Sequence, residues 1–272
     1  MVEEIITIFC ICDDYLKANN YKDHPQAQMS TSEILTTAIV ATKFFGGNYK
    51  KSRVFLSEYN YVKKMLSESR FIRRFNALDK DFLLNIFNIM AQIFNKNNSE
   101  KVYAIDSFPI PVCSNIRISR CKIYQEEKYR GYSAIREDYF FGIKVHMLVT
   151  KYGEPVEFII EPGSFSDIRV ARSFKFNIPK GSIIHADKAY TDYNFEDYLE
   201  LQRQIILAAR RKDNAKRKDK GMSTKTRKII ETSFSSILNN FSRKIHAVTA
   251  KGFELKIIMF IFAYAIKFLV AT

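Results

Sequence analysis

Residues 102–112, VYAIDSFPIPV, place a single carboxylate, Asp106, inside an aliphatic and aromatic run. The pattern returns at 182–192, SIIHADKAYTD, where Asp187 closes the apolar stretch. Both runs read as strands, at 101–112 and 183–187. A lone Asp among apolar side chains is costly to bury unless it is paired, hydrogen-bonded or bound to a metal. A third acid, Glu231, stands in KTRKIIETSFSSIL (225–238), an apolar-striped segment that follows a dense basic stretch. Two acid-bearing strands and an acidic helix, on a chain of net charge +14, point to metal-dependent chemistry on a polyanion.

Outward from these runs the alternation continues. Residues 138–150 (DYFFGIKVHMLVT) and 154–161 (EPVEFIIE) read as strands joined by a turn at Tyr152-Gly153. Pro162-Gly163 ends the second of them, and Ser166 can cap a short helix at DIRVARSF. A helix over 194–202, a fifth strand over 204–209, and helices over 225–240 and 252–269 follow. Residues 1–98 read instead as helical, with helix spacing at 5–16. The stretch STSEILTTAIVATKFFGG (30–47) starts at a capping Ser30 or Thr31 and stops at Gly46-Gly47. The boundary falls in the Asn-rich stretch 95–99. The expectation is an N-terminal helical, DNA-binding region (1–98) before an α/β domain (99–272) with a mixed five-stranded sheet flanked by helices.

The 272 residues carry 43 Lys and Arg against 29 Asp and Glu, a surface that attracts nucleic acid or anionic membrane. The membrane reading is the weaker. The first residues, MVEEIITIFCICDDYLK, lack the basic start of a signal peptide. The apolar run 257–266 lies between Lys256 and Lys267, well short of the roughly 20 residues that span a bilayer. It reads as a buried helix. Cys10, Cys12, Cys113 and Cys121 lack paired C-x-x-C spacing, so they are expected as reduced thiols of a cytoplasmic protein, with neither a zinc ribbon nor a disulfide framework.

If the strands of Asp106 and Asp187 are neighbours, both carboxylates face one cleft, and a later helix can add Glu231. Three converging acids repel unless a cation sits among them. Their hard oxygens favour Mg²⁺ or Mn²⁺, and two such ions serve phosphodiester chemistry. Glu196 and Glu200 are the fallback candidates for the third acid, although they follow Asp187 too closely for a cross-sheet helix. Residues 210–228 hold ten Lys and Arg against two Asp. Beside such a cleft Arg210, Arg211, Lys212 and Arg227 are expected to hold a DNA backbone, with Lys188 adding a further cation. Lys50, Lys51, Arg53, Lys63, Lys64, Arg70, Arg73 and Arg74 cluster among aromatics in the helical region, as in a helix-turn-helix reader or an ordinary solvated bundle. His185 shares a strand face with Asp187 and reads as a core histidine. His146 and His246 read as structural, and Asp167 as a helix N-terminal acid.

The segments IDSFPIPV, CKIYQEEKYRGY, GIKVHMLVTKYGEPVEFIIEPGSFSD, HADKAYTDY and HAVTAKGFELK, in this order between 101 and 256, together resemble DDE-type bacterial insertion-sequence transposases of the ribonuclease H-like, retroviral-integrase superfamily. The resemblance implies metal-binding Asp106 and Asp187 on adjacent strands and Glu231 on a later helix. Many such enzymes carry Y-x2-R-x3-E-x6-K around the Glu. Arg227 and Glu231 match, whereas Thr224 and Leu238 replace the Tyr and Lys. The implied activity is cleavage of DNA at the element's terminal inverted repeats and joining to target DNA, by a homodimer using two Mg²⁺ or Mn²⁺ ions. A structure-specific nuclease and an inactive DNA-binding remnant are the alternatives.

Overall fold

The computed structural model describes residues 1–133, 137–211, 215–217, 232, 234–239, 241, 245 and 247–270. The chain divides into two compact units, residues 1–87 with 239–272, and residues 88–238.

The first unit is helical, with α1 (Val2–Ala18), α2 (Thr31–Phe45), α3 (Tyr49–Glu58) and α4 (Glu68–Asn76). In α1 the buried residues Ile5, Ile8, Cys12 and Leu16 recur at helical spacing and form one stripe. Helix α2 begins with a capping box: the Ser30 hydroxyl accepts from the Glu33 N–H, and the Glu33 carboxylate accepts from the Ser30 N–H. It stops at Gly46, whose left-handed backbone (φ 57°) suits glycine. The apolar run 257–266 lies in the last helix, numbered α8 here (Ala250–Val270), and is buried throughout. The Thr42 hydroxyl of α2 donates to the Met259 carbonyl of α8 at 3.1 Å. No helix among the described residues is long and apolar enough to cross a membrane.

Helix α5 (Lys80–Asn97) leads into the second unit. There the sheet is built from β1 (Val102–Ser114), β2 (Arg130–Ser133), β3 (Asp138–Thr150), β4 (Pro155–Pro162), β5 (Ile183–Ala186) and β6 (Ile206–Ala209). The order is β2-β3-β1-β5-β6, with β4 also paired to β3. β1, β3 and β4 form an antiparallel meander, while β5 and β6 run parallel to β1. This is the expected mixed α/β arrangement. β2 is an addition to the five expected strands. It has only four residues, RGYS, and its Gly131 is held so close that a Cβ would lie 2.7 Å from the Gly163 carbonyl. Short helices α6 (Asp167–Ala171) and α7 (Tyr193–Tyr198) occupy the crossovers.

Strand β1 is central yet contains Pro109 and Pro111, which cannot donate to a ladder. The pairing explains how they are tolerated. Ile183 N donates to the Lys101 carbonyl, so the odd-numbered residues of β1 turn their backbone groups toward β5. β5 pairs only with 102–105. Beyond that point β1 has no β5 neighbour, and the prolines fall on the side left unpaired. Opposite, β3 keeps β1 paired through to Ser114, with a bulge between Pro111 and Cys113.

Candidate active site

Asp106 sits where β5 ends. The last β1–β5 pair is Ile105 with Ala186, and the last β5–β6 pair is Ala186 with Ala209. One residue further on, the three strands present Asp106, Asp187 and Arg210. Residues in register across parallel strands point to the same face, with neighbouring strands about 4.8 Å apart. Asp106 and Asp187 therefore lie one residue beyond the last β1–β5 pair, Asp187 just past the carboxyl end of β5 and Asp106 within β1, where Met147 of β3 still pairs with it. Asp106 is half-buried and Asp187 exposed. Arg210 is exposed, its N–H docked on the Ala186 carbonyl at 3.0 Å, and Lys188 is exposed directly after Asp187.

Ser107 holds Asp106 from the backbone. Its N–H points toward the side where β5 has stopped, and the Asp187 carbonyl has turned inward to accept from Tyr190 N. The Ser107 N–H instead donates to Asp106 Oδ1 at 2.7 Å. On the far face of the sheet the Ser107 hydroxyl donates to Asp167 Oδ1 at 2.9 Å. Lys144 Nζ lies 3.5 Å from the same oxygen and His146 Nδ1 3.8 Å. Asp167 is the first residue of α6, as the sequence indicates, but its carboxylate is engaged with the sheet. Sequence reasoning treated it as a local helix acid because strand–helix contacts over this separation leave no periodic mark.

His146 is fully buried, and burial pushes its pKa down to about 4; Asp167 pulls it back up and Lys144 lowers it further. The Tyr190 hydroxyl is buried beside Ser107, with no close hydrogen-bond partner among the described residues. Burial raises its pKa well above the ordinary value, and Asp167, Asp106 and Asp187 add to the rise.

Arg211 is placed differently from its neighbour Arg210. Its guanidinium forms a two-pronged ion pair with Glu196, the side chains being 4% and 3% exposed, and lies over the Tyr193 ring at 5.0 Å. Arg217 covers the same ring at 4.7 Å and pairs with Asp197. Glu196 is thereby committed to Arg211. Glu231, Lys212 and Arg227 lie outside the described residues. So do His246 and most of the expected helix 225–240, of which 234–239 are helical. Within that segment Phe234 packs on Phe108, ring centroids 6.4 Å apart. Phe108 shares a strand face with Asp106.

The donor chemistry fits a divalent cation: two carboxylates one residue beyond the last β1–β5 pair, one of them oriented by a backbone N–H, offer hard oxygen ligands. Among the described residues no three His, Cys, Asp or Glu side chains come together closely enough to hold a metal ion.

Residues 96–249 match the family model described as Transposase DDE domain. No curated protein sequence matches the chain. Similar solved structures include the piggyBac transposase synaptic complex with hairpin DNA, at 9% identity and TM-score 0.48, covering 97% of this chain and 72% of that one. Another is the Drosophila P element transposase strand transfer complex, at 11% identity and TM-score 0.28, covering 73% and 41%. A third is the Mos1 transposase paired-end complex with the left transposon end, at 11% identity and TM-score 0.26, covering 86% and 87%.

Proposed function

The chain belongs to the transposase DDE domain family, and on that premise we propose that it cuts DNA at the ends of a bacterial insertion sequence and joins the freed 3′ ends to target DNA. The observation that carries this reading is the position of Asp106 and Asp187 one residue beyond the last β1–β5 pair, within the matched segment. Enzymes of this family generally use divalent metal ions. Here two Mg²⁺ or Mn²⁺ ions, held by Asp106, Asp187 and Glu231, would supply activation of the attacking oxygen and charge stabilisation at the leaving oxygen. Glu231 is supported by Phe234, three positions later in the sequence, whose ring lies on the Asp106 face.

Hydrolysis at the element end and transesterification into the target are both in-line displacements at phosphorus, by water and then by a 3′-hydroxyl. Neither requires a protein nucleophile, so the side chains orient and neutralise. Lys188, Arg210, Lys212 and Arg227 draw the DNA backbone to the carboxylate row. Arg211, paired with Glu196, anchors the base of the basic segment. Residues 1–98 bind the terminal repeats. A groove of about 450 Å³ there is lined by His24, Gln28, Arg70, Arg73 and Arg74 among others, Arg74 being paired with Asp23 at 3.1 Å. Residues 99–272 carry the chemistry. A homodimer brings two ends together, in the bacterial cytoplasm.

Asp106→Asn and Asp187→Asn proteins should bind element-end DNA as tightly as the wild type and fail to cleave it with Mg²⁺. Cleavage retained by either would remove that residue from the site. With pre-cut ends the wild type should yield joined products, whereas a nuclease without strand transfer yields none.

A further inference from the structure

The geometry points to Asp167 as a positioning residue of this reaction, acting through Ser107 to fix Asp106 before a divalent ion arrives. The inference rests on the reading of Asp106 and Asp187 as metal ligands. Ser107 is the hinge of the argument. Its N–H and its hydroxyl serve opposite faces of β1: the N–H holds Asp106 Oδ1 at 2.7 Å, and the hydroxyl donates to Asp167 Oδ1 at 2.9 Å.

This stretch of β1 needs such a tether. β5 no longer pairs with it, and the next two odd-numbered residues, Pro109 and Pro111, have no N–H to offer. Ser107 is thus the last residue of β1 before the prolines with an N–H facing the side of Asp187. Its own orientation is set from behind. Asp167 accepts from its hydroxyl, and Lys144, cross-strand from Pro109, contacts the same carboxylate oxygen and donates to the Phe165 carbonyl. Lys144 therefore balances the Asp167 charge in a region where His146 is held neutral.

A ligand held in one rotamer loses less freedom when it binds a metal than a mobile one. Partners of metal ligands that fix their orientation typically change metal affinity by roughly 10–100-fold. Asp167 touches neither DNA nor the reacting atoms in this arrangement, so its influence must appear in metal binding.

The test is Mn²⁺ binding to the full-length protein without DNA, followed by calorimetry and by the Mn²⁺ electron paramagnetic resonance signal. Wild type should bind, and Asp106→Asn should lose binding. Ser107→Ala and Asp167→Asn should each weaken Mn²⁺ affinity about tenfold, while element-end DNA affinity measured in EDTA stays within about twofold of wild type. Ser107→Thr, which restores the hydroxyl, should recover most of the loss. Mn²⁺ affinity equal to wild type in Ser107→Ala, a milder change than Asp167→Asn, would overturn the inference and leave the transposase reading standing. So would a Ser107→Thr protein as weak as Ser107→Ala. Absence of Mn²⁺ binding in the wild type, or binding undiminished by Asp106→Asn, would remove both.

Discussion

Arg211→Ala tests the anchoring of the basic segment with a magnitude the structure supplies. Arg211 and Glu196 are both almost wholly buried and share two hydrogen bonds. Removing the guanidinium leaves the Glu196 carboxylate buried with, among the described residues, the Asp192 N–H at 3.3 Å as its remaining donor. Breaking a buried pair from one side costs about 3–5 kcal/mol, because the surviving charge is uncompensated. For a unit of this size each kcal/mol lowers the melting temperature by roughly 2–4 °C. A fall of about 6–20 °C is therefore expected, read by thermal and urea melts. Replacing both partners with apolar residues, Glu196→Leu with Arg211→Met, should restore most of the loss, since it removes the desolvation cost along with the attraction. DNA affinity and its salt dependence should stay at wild-type values in the double variant. A single variant that loses less than about 1 kcal/mol would refute the pairing argument. A double variant with wild-type melting but weakened DNA binding would return Arg211 to the DNA contacts.

His146 gives a pH prediction. Its pKa is about 4 in the fold against an ordinary 6.5, so the unfolded chain takes up a proton first as pH falls. The stability tied to the neutral ring is complete above pH 6.5 and is lost between 6.5 and about 4, on the order of 3 kcal/mol in all. His146→Leu should flatten the fall in stability over that window; parallel curves would show that His146 does not cause it. Gly142→Ala should destabilise the sheet unit by about 1–3 kcal/mol, because its Cβ would lie 2.3 Å from the Ile110 carbonyl oxygen. An unchanged urea midpoint would show that β1 and β3 separate there without cost.

The sheet was legible in the sequence, down to the two neighbouring strands that carry Asp106 and Asp187, because strands leave local patterns. Apolar runs bounded by turns mark β1, β3, β4, β5 and β6, and an acid closing such a run marks a strand end. Ser30 and Gly46, which bound α2, are likewise local signals. β2 was missed because four residues with a central glycine carry no usable alternation; its place comes from pairing with β3. The Arg211–Glu196 pair was missed because a charge inside a basic run gives no sign that it is buried. Asp167 was read only as a helix acid, since its link to Ser107 exists in the folded chain and not in any spacing. Pro109 and Pro111 held a signal that went unused: prolines in a central strand show where its neighbour stops, and here that place is the candidate active site.

The helical unit takes its core from two segments that the sheet unit separates in the sequence. Leu35, Ile39 and the rest of the buried face of α2 leave the ribosome well before Phe253 to Ile266, which share their unit. At ordinary elongation speeds that interval is roughly ten to forty seconds, long enough for the sheet to complete itself while the opening helices wait for their final partner. A premature stop ahead of Phe253 would thus spare every proposed catalytic acid and still strip the amino-terminal bundle of its closing layer.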